Sequence, residues 1–162
     1  MGFVTLDHLA ICVPDAAAAA KQFCDFFGAK LHFLVESEEL EVKMAFLTWG
    51  DKIITLDQPT TPTSSFAKFL DKRGPGIHHV GVQVENVEEE IRRLEKLGVK
   101  VVNTQLTGKK RREGLVLPKD GCGVLWQLIE WREDCKDSLE ARFDLSRTGL
   151  QIPVGDTFKK TK

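Results

Sequence analysis

The chain has almost no net charge: 23 lysines and arginines stand against 24 aspartates and glutamates, a formal −1 over 162 residues. It therefore has no global field to attract nucleic acid. No apolar run approaches the roughly 18 residues that a membrane span needs, and the N-terminus has none of the charged, apolar and cleavage regions of a signal peptide. Cys12, Cys24, Cys122 and Cys135 form neither a C-x-x-C pair nor a disulfide framework. Reduced thiols are expected, in the cytoplasm or, after loss of a targeting segment, in the mitochondrial matrix. Also missing are the G-x-S-x-G elbow, the glycine-rich phosphate loop with its lysine, and a dinucleotide fingerprint after the first strand. The remaining composition, 42% apolar and 29% charged, is that of a globular chain long enough to bury a core.

What the sequence does contain is a repeat. Asp7-His8-Leu9-Ala10-Ile11-Cys12-Val13-Pro14-Asp15 reads like His78-His79-Val80-Gly81-Val82-Gln83-Val84-Glu85-Asn86, and each is followed by a helix-like stretch and a glycine. Leu9, Ile11 and Val13 alternate with His8, Ala10 and Cys12 as strand faces do, and the second copy sets His79, Gly81 and Gln83 against Val80, Val82 and Val84. Asp15 caps one predicted helix, which Gly28 ends, and Asn86 with Glu89 opens the other, ended by Gly98. Further strands are predicted at 30–35, 42–48 and 52–56, and at 100–104, 114–117 and 123–129. The spacing gives two βαβββ modules of an α+β fold, residues 1–58 and 76–131. A linker with a short helix, 59–75, joins them, and a C-terminal tail, 132–162, is read as an extra strand or a wrapping arm, with 150–154 its apolar stretch.

His8 and His79 occupy equivalent places in the repeat, on small and polar strand faces. If the modules pack about a pseudo-twofold axis, the two imidazoles can converge on one cation at roughly 2.0–2.2 Å each. Further ligands are sought on the last strand of each module, where Thr55 and Gln127 are equivalent. Gln127 offers a neutral amide oxygen; a threonine hydroxyl is a poor ligand. Asp57 shares the parity of Thr55 and is the acid expected to reach the metal or hold a bound water, whereas Glu130 has the wrong parity without a bulge. The predicted metal set is therefore His8, His79, Gln127 and Asp57. By parity His78 turns away from His79 and is given a structural or rim role, His32 a surface one, and Trp126 and Trp131 packing or interface roles. Lys109, Lys110, Arg111 and Arg112 read as a solvated hairpin loop or as a contact to the phosphates of a nucleotide-bearing substrate.

The Asp-His-Leu-Ala-Ile opening, Ser65–Leu70, Gly-Ile-His-His-Val at 76–80 and Leu-Pro-Lys-Asp-Gly-Cys-Gly-Val-Leu at 117–125 resemble the methylmalonyl-CoA epimerase family of the vicinal oxygen chelate superfamily, over roughly residues 4–131. The resemblance implies a curved mixed sheet around a metal-binding cleft and a homodimer. It also implies one divalent ion, of cobalt, manganese, zinc, nickel or iron, and an acyl-CoA substrate epimerised through an enolate. His8 and His79 match the family's metal histidines. Gln127 stands where the family usually has a glutamate ligand, Thr55 where it has glutamine or glutamate, and Met44 near its catalytic glutamate, so the sequence assigns no acid or base. Two other readings stay open: a non-haem iron dioxygenase or lyase resembling 4-hydroxyphenylpyruvate dioxygenase or glyoxalase, and a resistance-type module that binds a small molecule without catalysis.

Overall fold

The elements follow the apolar patterning. In chain order they are β1 (Phe3–Cys12), α1 (Ala16–Phe27), β2 (Lys30–Ser37), β3 (Val42–Trp49), β4 (Lys52–Pro59), α2 (Ser65–Arg73), β5 (Gly76–Val84), α3 (Val87–Lys96), β6 (Val101–Gln105), β7 (Arg111–Val116), β8 (Leu125–Trp131) and α4 (Leu139–Arg147), with a 3-10 turn at Glu133–Cys135 before the last helix. This computed structural model describes residues 2–148. The fold is α+β, with an open mixed sheet of eight strands in the order β2-β3-β4-β1-β5-β8-β7-β6. Among the described residues no helix is long and apolar enough to cross a membrane. The chain divides into two compact units, one from Asp7 to Val80, the other made of the residues up to Leu6 and those from Gly81 onward.

In the unit Asp7–Val80, α1 starts where Asp15, in extended backbone, accepts the amide hydrogens of Ala17 and Ala18 at 3.0 and 2.9 Å. These are donors a helix cannot satisfy internally. The helix ends at Gly28, whose φ of 67° is the left-handed conformation glycine adopts without strain. Ala16 and Ala20 are fully buried against Ala45, Leu47, Ile54 and Leu56 of β3 and β4. Strand β1 runs parallel to β4, with His8 opposite Ile53, Ala10 opposite Thr55 and Cys12 opposite Asp57. Strand β3 runs antiparallel to β4 and sets Met44 opposite Asp57 and Phe46 opposite Thr55. Alternation then leaves His8, Ala10, Cys12, Met44, Phe46, Thr55 and Asp57 on the face away from α1.

In the other unit the Asn86 side chain accepts the Glu89 amide hydrogen at 3.0 Å and starts α3. The carboxylate of Glu130 accepts that of Val87 at 3.1 Å, a second anchor at the same helix end. Strands β7 and β8 pair without interruption from Arg111 opposite Trp131 to Val116 opposite Trp126, so no bulge turns Glu130 toward the face of Gln127. Val84, Val87, Ile91, Val101, Val116 and Leu128 form the core beneath α3. Cys135, Ala141 and Leu145 pack on Ile129 and Trp131, which share the parity of Gln127. Residues 133–147 of the tail are thus a turn and a helix rather than a strand; the apolar stretch 150–154 lies outside the described residues.

The basic cluster corrects the expectation of a solvated loop in part: Lys109 and Lys110 lie in a bend before β7. Arg111 and Arg112 belong to β7, which begins three residues before the predicted start. Lys110 pairs with Asp134 at 2.9 Å, Arg111 with Glu113 at 2.5 Å and Arg112 with Glu88 at 2.8 Å, so neighbouring acids answer these charges.

Replacing Asp15 by alanine removes the side-chain acceptor at the start of α1. The expected loss is about 1 kcal/mol of stability, seen as a lower urea midpoint with an unchanged slope.

Candidate metal centre

His8 and His79 are brought together. Their Nε2 atoms lie 3.1 Å apart with the rings at 90°. The Nδ1 of His8 faces Asp7 Oδ1 at 2.8 Å, and Asp7 is buried. An ionised carboxylate only accepts hydrogen bonds, so the His8 proton sits on Nδ1 and the lone pair on Nε2. Asp7 went unnoticed in the sequence because neighbours on a strand point to opposite faces. The same rule sent His78 away from His79, yet the two Nδ1 atoms are 2.9 Å apart. The His78 ring stacks on Phe66, with centroids 4.5 Å apart, and meets the edge of Phe69 at 5.1 Å. Burial pulls its imidazole down to about 4.

These residues fit a divalent ion. The two Nε2 atoms face each other at 3.1 Å, a separation that suits a proton or a cation shared between them. The separation lets both nitrogens reach one ion at the roughly 2.0–2.2 Å of imidazole–metal bonds. Among the described residues no group of three or more histidines, cysteines, aspartates or glutamates is placed to hold a metal. An ion held by the two imidazoles would take its other donors from water, substrate or neutral protein oxygens.

Asp57 is not drawn into that pair. It lies on the His8 face but pairs with Cys12 rather than with His8. Four residues of strand, about 13 Å at 3.3 Å per residue, separate it from the level of His8. Its side chain is 2% exposed, Oδ2 receives a long 3.4 Å hydrogen bond from the Thr55 hydroxyl, and Oδ1 has no partner among the described residues. Burial, only partly offset by that hydroxyl, pushes the carboxyl up to about 7. The neighbouring Cys12 thiol rises to about 12 by burial and by the Asp57 charge, and it donates to the Phe66 carbonyl at 3.4 Å. Thr55, spent on Asp57, adds no strong ligand.

Gln127 belongs to the other unit. Its Nε2 donates to Glu113 Oε2 at 3.1 Å, which fixes the amide orientation because a carboxylate accepts. Its Oε1 is buried without a partner among the described residues, a neutral oxygen with an unused lone pair. Glu113 was missed because the predicted strand began at 114, just after it, whereas β7 begins at Arg111. Arg111, its ion-pair partner, lies 5.3 Å from the centroid of the Trp131 ring, and Arg142 lies 5.0 Å from it.

Residues 7–114 match the model of the Glyoxalase/Bleomycin resistance protein/Dioxygenase superfamily. The chain is 34% identical over 127 residues to the ethylmalonyl-CoA/methylmalonyl-CoA epimerase of Cereibacter sphaeroides, covering 76% of this chain and 95% of that protein. It is 31% identical over 126 residues to the human mitochondrial methylmalonyl-CoA epimerase, covering 76% and 72%. This chain belongs to the methylmalonyl-CoA epimerase family of that superfamily. Its function is of the epimerase type. The crystal structure of methylmalonyl-CoA epimerase from Mycobacterium tuberculosis superposes with a TM-score of 0.73 at 31% identity, over 84% of this chain and 93% of that one. A variant of the Streptomyces coelicolor enzyme, in complex with 2-nitronate-propionyl-CoA, gives 0.70 at 26% identity, over 81% and 99%.

The raised carboxyl of Asp57 sets a pH dependence. The folded protein keeps up to about pH 7 a proton that the unfolded chain, with a carboxyl near 3.9, has already released. Folding stability contributed by this group therefore falls as pH rises from about 4 to about 7, by at most about 1.4 kcal/mol per pH unit. Urea titrations across that range should show the decline in the wild type relative to Asp57→Asn, which has no such proton to keep.

Proposed function

We propose that the protein is a metal-dependent epimerase of methylmalonyl-CoA or a related acyl-CoA, with His8 and His79 as metal ligands. The observation that carries this reading is the pair of Nε2 atoms 3.1 Å apart, one of them backed by a buried carboxylate through Nδ1. When bound, a divalent ion would supply Lewis acidity that stabilises the enolate formed next to a thioester carbonyl.

The side chains of the unit Asp7–Val80 do the rest. Asp7 holds the His8 ring in the tautomer that presents Nε2 and raises the basicity of that nitrogen. Ala10, Met44 and Phe46 are buried on the face that carries His8, an apolar surround in which charge interactions are stronger than in water. Met44 stands near the place of the family's catalytic glutamate and cannot exchange a proton. Its partner across the strands is Asp57, and side chains so paired have Cβ atoms about 4.5–5.5 Å apart. Asp57 therefore sets a carboxyl, titrating near neutrality, beside the position where residue 44 lacks one. It stands four residues along the strand from the level of His8, about 13 Å at 3.3 Å per residue, too far to reach a carbon whose carbonyl is held at the two histidines, so no proton transfer is assigned to it. The carboxylate beside two histidines that an iron dioxygenase site takes is absent among the described residues.

The test is deuterium exchange at the α-carbon of methylmalonyl-CoA, with cobalt(II) added. Exchange is expected in the wild type, with loss in His8→Ala and His79→Ala. Asp57→Asn should keep an exchange rate close to that of the wild type. A wild type that exchanges no deuterium overturns the epimerase reading, and an Asp57→Asn variant that loses its rate brings Asp57 into it.

A further inference from the structure

We infer that His78 is the positioning residue of His79, and that it ties the orientation of the metal-facing ring to helix α2. The inference rests on the reading of His79 as a metal ligand. The two Nδ1 atoms, 2.9 Å apart, form a hydrogen bond with one donor and one acceptor, since two bare nitrogens would repel and two N–H groups would collide. In either sense the bond holds the His79 ring plane. With the proton on His79, it leaves the Nε2 lone pair directed at the place between His79 and His8.

His78 can hold a partner because it is itself held. Its ring lies at 29° on Phe66, and the edge of Phe69 closes a second side at 5.1 Å. Both phenylalanines come from the first five residues of α2. That helix end is fixed in turn: Ser64 caps it by accepting the Ala67 amide hydrogen at 3.0 Å, and the Cys12 thiol on β1 donates to the Phe66 carbonyl at 3.4 Å. The strut runs from Cys12 through Phe66 and His78 to His79. It returns to the strand that carries His8, whose own ring is set by Asp7. The two ligands are thus oriented by unlike partners, a carboxylate for His8 and a stacked imidazole for His79.

The experiment titrates metal-free protein with cobalt(II) against a competing chelator. His78→Phe keeps a ring for the Phe66 stack and removes the polar atom; His78→Asn keeps a polar atom near the Nδ1 position and removes the ring. His78→Phe is expected to bind cobalt(II) roughly 10–100-fold more weakly, while its unfolding midpoint without metal stays near that of the wild type. His78→Asn should recover most of the affinity, and Phe66→Leu should lose part of it. A second measurement needs no metal: the ring-nitrogen NMR signals of His79 should report a changed tautomer balance in His78→Phe. Equal cobalt(II) affinity in wild type and His78→Phe, or unaltered His79 ring signals, overturns the proposal, and full affinity in Phe66→Leu removes α2 from it. A wild type that binds no cobalt(II) overturns the ligand reading itself, and the His79 signals then still decide whether His78 holds the ring.

Discussion

The Nε2 atoms of two imidazoles face each other 3.1 Å apart in the unit Asp7–Val80, a separation that suits a proton or a cation shared between them. The arrangement depends on the parallel pairing of β1 with β4, which fixes the level of His8, and on the helix behind the sheet. Because Ala16 and Ala20 bury against β3 and β4, apolar residues are drawn to the α1 side, and His8 is left on the opposite face with small and sulfur-bearing neighbours. Asp7 then settles the tautomer of His8. The chemistry of the centre follows from one nitrogen of the His8 ring being tied down by Asp7 and the other facing His79.

Much of this was legible in the sequence because it rests on period and spacing. The caps at Asp15 and Asn86, the end of α1 at Gly28, and the equivalence of His8 with His79 need only alternation, helix-start chemistry and a repeat. Alternation says which face a side chain takes but not how far along the strand it lies. Asp57 was therefore placed correctly by face and wrongly by level, since only the register of β1 on β4 sets it opposite Cys12. The same rule, applied to neighbours, hid Asp7 and misdirected His78, because imidazoles are long enough to meet across adjacent positions. Glu113 was lost to a strand boundary: a run of four basic residues reads as a loop until the acidic partners of three of them are seen.

Charge in the second unit is settled locally. Arg111 answers Glu113, which also takes the Gln127 amide, while Glu130 serves the start of α3 and lies near Arg132 at 3.3 Å. The near-zero charge of the whole chain is thus repeated at short range. Gln127 keeps one buried oxygen unsatisfied among the described residues, and such an atom carries a desolvation cost until a hydrogen bond or a cation meets it.

The histidine doublet of β5 has a further consequence for how the chain tolerates changes in length. Inserting or deleting one residue in a strand turns every later side chain to the opposite face, and for most strand residues that exchange is ruinous. On β5 the preceding residue is also a histidine, so a one-residue insertion ahead of the doublet brings His78 to the place of His79 and keeps an imidazole there, whereas a deletion brings Val80. What the insertion forfeits is the stacked partner, since Ile77 then takes the place of His78 against Phe66. On β1 the same changes bring Asp7 or Leu9 to the place of His8. Of the two strands that furnish the pair, the second is forgiving of one gained residue in the ring it presents, and the first is not.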